Sequence, residues 1–401
     1  MNETIRNQFP ALNRIHNKKP FIFLDGPAGT QVPNRTIDTI SDYYRKSNAN
    51  THGTFTTTQE TDAILESTRA LVATFLGAEG GHTISFGHNM TTLNFSLSRA
   101  IGRSLQPNDE ILITQLDHEA NRGPWLSLRA QGIIVREVRL QTDGTLDYDD
   151  FAAKINERTR LVAMGWASNI FGTINEVAKV RALTRQVGAL LMIDAVHYAP
   201  HLSIDVQRLG CDFLICSAYK FYGPHIGLLY AKPGLLDRLQ PDRLRTAYQH
   251  APYSIETGTL NHAAIAGVHA AIEFIASIGK GKAIRKKLVS AMQLIHEHEI
   301  DLAKKLYNGL AAMKKVQLYG PPIDAPLRAP TMSFTYKGKT AKQVCEHLAK
   351  HNICGWSGHF YAIRATEVLG LLEQGGVTRL GMSLYNVETE IDKTLEMIES
   401  M

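Results

Sequence analysis

Ser217-Ala218-Tyr219-Lys220-Phe221-Tyr222-Gly223-Pro224 is the stretch from which the fold of this chain is read. It follows the apolar run Phe213-Leu214-Ile215-Cys216 and precedes Ile226-Gly227-Leu228-Leu229-Tyr230-Ala231, and both flanks predict buried strands by their length and content. A lysine is thereby set on a turn between two core strands. An ammonium is costly to bury unless paired or discharged, so this lysine either caps a strand end at the surface or has a covalent task.

Upstream, Leu190-Leu191-Met192-Ile193-Asp194-Ala195-Val196-His197 reads as a further buried strand that ends in a carboxylate and then an imidazole. Residues 110–114, 132–138 and 159–164 predict more strands, and 148–155 and 177–187 predict helices. This alternation implies an α/β fold with a largely parallel sheet, ligands at the strand C-terminal ends, and Asp194 and Lys220 at one sheet edge. A carboxylate that keeps a ring nitrogen protonated, beside a lysine that forms an imine to the same ring, is what pyridoxal phosphate needs to act as an electron sink.

Asp194-Ala195-Val196-His197 followed by Ser217-Ala218-Tyr219-Lys220 resembles the class V aminotransferase family of pyridoxal-phosphate enzymes, and most of all its cysteine desulfurase and selenocysteine lyase branch. The resemblance runs from Phe21 to Glu399. It implies fold type I, with a large cofactor-binding domain (21–275) built on a mostly parallel sheet and a smaller C-terminal α+β domain (276–401, with 1–20). It gives Lys220 the imine and Asp194 the ring nitrogen. Asp117-His118-Glu119-Ala120-Asn121 is similar to the family's His-x-Ala-Asn, which implies a His118 lying flat on the pyridoxal ring and shuttling protons near neutral pH.

The turn Gly87-His88-Asn89-Met90-Thr91-Thr92 stands between a predicted strand and a predicted helix, a junction whose free N–H groups and dipole suit an anion. The resemblance makes that anion the cofactor phosphate, held by the Asn89 side chain and the N–H groups of Met90 and Thr91. It further implies cofactor contacts from Asn169, donating to the phenolic oxygen, and from His197, Ser217 and Tyr219. Thr259, in Glu256-Thr257-Gly258-Thr259, would reach the phosphate of the other subunit, making a homodimer with a shared active site. For the substrate it points to Ala28 in Asp25-Gly26-Pro27-Ala28-Gly29-Thr30, to Asn50 on a polar loop, to His359 and Tyr361, and to Arg379, whose fork suits an α-carboxylate.

One departure touches the chemistry. Cysteine desulfurases carry a catalytic cysteine in a mobile loop after a Gly-His, and here that loop reads Ser357-Gly358-His359-Phe360-Tyr361-Ala362, which puts Tyr361 in the thiol's place. A phenol of pKa ~10 cannot accept sulfur to give a persulfide. Cys354 lies seven residues before Tyr361, on a predicted strand 353–356. His197 also replaces the glutamine frequent in desulfurases. The expected function is therefore a pyridoxal-phosphate enzyme acting on a small α-amino acid by transamination, elimination or epimerisation. The alternatives are a selenocysteine lyase or cysteine desulfurase, and a cofactor-binding protein without turnover, against which the presence of both Lys220 and Arg379 speaks.

Composition excludes other classes. The chain has 401 residues, 44% hydrophobic and 20% charged, with a net charge of +5 spread along it, so no basic stripe for nucleic acid stands out. No window approaches the ~18 apolar residues of a membrane span and Met1 to Arg6 contain no apolar signal segment, which leads us to expect a cytoplasmic protein. Cys211, Cys216, Cys345 and Cys354 show no paired spacing, hence no metal site and buried free thiols. A long amphipathic helix over 283–313 leads through Gly320-Pro321-Pro322 into the second domain.

Overall fold

The structure, a computed structural model, describes residues 3–325 and 328–401. The apolar runs form a seven-stranded sheet of β1 (Ile84–Gly87), β2 (Glu110–Thr114), β3 (Ile134–Val138), β4 (Thr159–Gly165), β5 (Leu190–Asp194), β6 (Phe213–Ser217) and β7 (Gly227–Ala231). Their spatial order is β1-β7-β6-β5-β4-β2-β3. Strands β2 to β6 are mutually parallel. β7 runs antiparallel to both β1 and β6. The reason lies in the lysine turn: a parallel connection needs a crossover of about a dozen residues or more, and residues 218–226 are too few, so the chain must reverse.

Successive residues of these strands alternate between two apolar layers, as the period of two requires. Leu112, Val162, Leu191, Ile193, Leu214 and Leu228 pack into one layer; Ile111, Ile113, Leu161, Met192, Ile215 and Leu229 pack into the other. Burial on both faces explains why the strands read as continuous hydrophobic runs.

A second, wholly antiparallel sheet contains β8 (Val316–Tyr319), β9 (Thr331–Tyr336), β10 (Trp356–Gly358) and β11 (Val377–Gly381), in the order β8-β9-β11-β10. Helices Ala341–Ala349 and Glu388–Glu399 cover it through Val344, Leu348, Ile391 and Ile398. The long helix is Ile284–Ala312, and its apolar stripe is divided between the two cores. Leu288 and Ile295 pack with the seven-stranded sheet, whereas Leu302, Leu306 and Leu310 pack with the four-stranded one.

The predicted strand 353–356 is divided. Ile353–Cys354 pairs in parallel with Ile22–Phe23, while Trp356 begins β10 beside β11. Gly355 is where the chain changes partner, at a point where a Cβ would lie 2.5 Å from Leu380 Cδ2. As a result Ile22 and Leu24 join the core of the small sheet, although Phe9 and Leu12 belong to the large one. Among the described residues no helix is long and apolar enough to cross a membrane.

Candidate active site

Strands β2, β4, β5 and β6 all end at one edge, and their C-terminal turns enclose a cavity of about 650 Å³, its open mouth included. Lys220, Asp194 and His118 line it. So do Asn89, Met90, Thr91, Asn169, His197, Ser217 and Tyr219, so the cavity gathers every expected cofactor contact except Thr259.

Lys220 follows β6 on a single 3-10 turn, Ala218–Lys220. It is 7% exposed, and its Nζ donates to the carbonyl oxygen of Pro27, from the turn after Leu24. Burial, helped by the Arg379 charge and opposed by Asp194, brings its pKa down to about 7. The amine is thus half deprotonated at neutral pH.

Asp194 ends β5, and its Oδ1 accepts from the N–H of Val196 at 2.9 Å. Burial raises its pKa to about 7, with a smaller upward push from Asp117. A buried carboxyl without a cation against it is held near neutrality by desolvation, and a protonated ring nitrogen is a partner that would restore its charge.

His118 stands just beyond β2. Its Nδ1 accepts from the N–H of Ala120 at 3.0 Å, which puts the ring hydrogen on Nε2. Burial and the nearby Lys220 and Arg379 charges lower its pKa to about 4. The imidazole is therefore neutral at pH 7, a face and a donor, where the sequence led us to expect a group titrating near neutrality. The neighbour that fixes this turn, Asp117, escaped the sequence reading. It is buried and accepts from the N–H of Gly165 at 2.7 Å and from Asn121 Nδ2 at 3.3 Å.

At the anion turn the expected donors are partly spent. Asn89 Oδ1 caps helix Met90–Gly102 by accepting from Thr92 N–H at 2.9 Å, and the Met90 N–H donates to Ser217 Oγ at 3.1 Å. Among the described residues, the Thr91 N–H has no partner within the chain. The first residue of β7 must be glycine here, because a Cβ on Gly227 would lie 2.4 Å from the Asn89 carbonyl carbon.

His197 is buried, with Nε2 2.9 Å from Thr331 Oγ1 of β9 and with Nδ1 lacking any partner. Tyr219 stacks on His225, ring centroids 4.7 Å apart.

The expected substrate residues lie outside the cavity wall. Arg379, on β11, is 4% exposed. Its Nη1 donates to the Asn169 carbonyl at 2.8 Å, and burial lowers its pKa to about 9 against the opposing pull of Asp25. Asp25 has its own pKa raised to about 6 by burial, and its Oδ1 has no partner. No carboxylate is salt-bridged to this buried guanidinium among the described residues, and an incoming carboxylate would supply the close counter-charge that Asp25 provides only at a distance.

Tyr361 is 65% exposed, its ring centroid 5.3 Å from that of His118. His359 Nδ1 accepts from the Tyr361 N–H at 3.1 Å. Asn169 Nδ2 donates to the Phe360 carbonyl at 2.8 Å, so this hydrogen serves a loop that the sequence reading did not connect with it. Ala28 is part of the Pro27 turn, while Asn50 and Thr259 are exposed and do not line the cavity.

Residues 22–394 match the model of the aminotransferase class-V family, and the chain belongs to that family. It is a pyridoxal 5'-phosphate enzyme acting on an amino acid, as members of this family are. The cysteine desulfurase of Enterobacter sp. (strain 638) is 32% identical over 407 residues, 98% of this chain and 96% of that protein. A probable cysteine desulfurase of Halalkalibacterium halodurans is 31% identical, with the same coverage of both chains. The apo structure of a cysteine desulfurase from Thermococcus onnurineus NA1 superposes with a TM-score of 0.88 at 27% identity, over 100% of this chain and 98% of the other. An S-sulfonic acid form of a cysteine desulfurase from Escherichia coli gives 0.86 at 26%, with the same coverage.

The residues present fit the cofactor. The cavity offers an amine that is neutral in part at pH 7, a carboxyl in need of a cation, and a buried imidazole nitrogen without a partner.

Proposed function

We propose that this enzyme works at the α-carbon of a small amino acid by transamination, elimination or epimerisation, and does not pass sulfur to a thiol of its own. The observation that carries this reading is the loop at the cavity mouth, where Tyr361 stands 5.3 Å from His118 and no cysteine is present. Cys354 is a poor substitute. It is bound into the short pairing with Phe23, it is absent from the cavity wall, and burial raises its thiol pKa to about 11. A thiol protonated at pH 7 is a weak nucleophile.

When bound, pyridoxal phosphate supplies the electron sink that labilises bonds at the α-carbon. The protein supplies the rest. Asp194 would hold the ring nitrogen protonated, and Ser217, Asn89 and Thr91 would border the phosphate. Lys220 would hold the cofactor through its amine, and its Nζ could take or return a proton, which a pKa of about 7 suits. His118 would lie against the cofactor ring as a neutral imidazole. Arg379 receives the substrate carboxylate. The second reading, a cysteine desulfurase or selenocysteine lyase, is favoured by the names of relatives that match nearly the whole chain.

The two readings separate on a panel of amino acids, with selenocysteine included, offered to the holoenzyme. Spectral change of the cofactor identifies substrates and mass spectrometry identifies products. Alanine formed from cysteine together with a persulfide on the protein would sink the first reading, whereas sulfide released with pyruvate and ammonia is elimination and supports it.

The same reading makes the enzyme a cytoplasmic homodimer in which the exposed Thr259 reaches the partner's phosphate. Mixed dimers of Lys220→Ala and Thr259→Ala chains should then regain about a quarter of wild-type sites, because one site in each heterodimer is intact. A fully active monomer contradicts the shared site.

A further inference from the structure

The loop after β10 is held by a closed ring of contacts around Arg379. The Arg379 Cζ lies 4.0 Å from the ring centroid of Phe360, its Nη1 donates to the Asn169 carbonyl at 2.8 Å, and Asn169 Nδ2 donates to the Phe360 carbonyl at 2.8 Å. Every member of the ring touches the other two. The backbone needed for this is uncommon: Phe360 and Tyr361 both adopt left-handed conformations, at φ 52° and 59°. Bulky aromatic residues rarely occupy that region, and two in succession persist only where the surroundings fix them. Here both carbonyls are captured, that of Phe360 by Asn169 and that of Tyr361 by the Glu119 N–H at 2.7 Å.

We infer that Phe360 is a positioning residue for substrate recognition: its ring fixes the plane of the Arg379 guanidinium while its carbonyl fixes Asn169. The loop that carries a nucleophile in desulfurases thus serves here as half of a carboxylate clamp. This rests on the reading of Arg379 as the carboxylate site.

The physical case is one of pre-organisation. A guanidinium is long-stemmed, and a carboxylate needs its fork in one plane. An aromatic face over a desolvated cation removes the alternative orientations, and the bond from Nη1 to Asn169 sets the rotation in that plane. The remaining N–H groups are left for the substrate. Reversal of the chain at Phe360 then brings Tyr361 beside His118, so a single turn orders both the arginine and the cavity mouth.

The test uses holoenzyme of wild type, Phe360→Leu, Phe360→Gly, Phe360→Tyr and Arg379→Ala. Propionate, a carboxylate without the reacting amine, is titrated by its effect on the cofactor absorbance, and KM and kcat are measured on the amino acid found by the panel. Phe360→Leu and Phe360→Gly should weaken propionate and raise KM about tenfold to thirtyfold, with kcat changed less than about threefold. Phe360→Tyr, which keeps the ring, should stay within about twofold of wild type.

Glycine accepts the left-handed backbone, so Phe360→Gly removes the ring without added strain and stands in if the leucine variant fails to fold. Wild-type propionate affinity in both ring-less variants, alongside a loss in Arg379→Ala, overturns the role of Phe360 alone. Unchanged affinity in Arg379→Ala, or no propionate binding by the wild type, overturns the carboxylate reading and the clamp with it.

Discussion

The floor and the rim of the cavity are built in different ways. The floor residues His118, Asp194 and Lys220 stand at or just beyond the ends of β2, β5 and β6, strands of one sheet buried on both faces. The rim brings together Asp25, Asn169, Phe360 and Arg379, which come from a loop after Leu24, the turn after β4, the loop after β10 and strand β11. A floor set by strand ends keeps its chemistry as long as the sheet is intact. The rim depends on how two sheets and their loops meet, and that is where one family can change its substrate.

The strongest way to break this contrast is to remove the floor's nucleophile. Lys220→Ala should lower turnover about 10³-fold or more while the fold stays intact. Borohydride reduction of the wild type should fix the cofactor to the peptide containing Lys220. A label on another lysine means that the floor has been misread.

Asp194→Ala comes next. It should cost about 10²-fold in kcat and leave phosphate-dependent binding of the cofactor partly in place, since it removes only the group proposed to face the ring nitrogen. Undiminished turnover would show the carboxylate to lie elsewhere.

A pH series sharpens the assignment to Lys220. Its folded-state pKa is lowered from 10.5 to about 7, so its amine is neutral above that pH and protonated below it. Only the neutral amine attacks. Reattachment of pyridoxal phosphate to the apoprotein should accelerate about tenfold per unit of rising pH below 7 and level off above it. A midpoint near 10 would mean that burial does not perturb this lysine.

The smallest effect is expected outside both regions. Cys354→Ser should change activity less than about twofold, because a surface or half-buried substitution away from the reacting atoms costs little. Rapid cysteine turnover that collapses in this variant would bring Cys354 into the site and undo the distinction between the two regions.

Much of the floor was legible in advance, because each of its residues is written beside a strand: Asp194 ends one apolar run and Lys220 follows another on the next turn. Asp117 was missed although it adjoins His118. Its role appears only when β2 and β4 lie side by side and its carboxylate meets the Gly165 N–H. Asn169 was expected to donate to the cofactor, and its bond to Phe360 was not foreseen, since Phe360 is 191 residues away in the chain. The predicted strand 353–356 failed for a related reason: apolar content reports burial, and Gly355 lets the chain change partner within it.

By itself the sequence determined the α/β alternation, the cofactor class, the lysine and aspartate at the sheet edge, and the tyrosine in the thiol's place. The alternation and the two sheet-edge residues follow from local period, turn chemistry and residue type, which need no knowledge of distant neighbours; the cofactor class and the reading of Tyr361 rest on the family resemblance of short motifs. Only the tertiary structure decided that Asp117 serves the Gly165 N–H, that His118 is neutral with its hydrogen on Nε2, and that Phe360 stacks on Arg379. Such properties arise from pairing between remote segments and from desolvation, and neither exists until the two sheets have packed together.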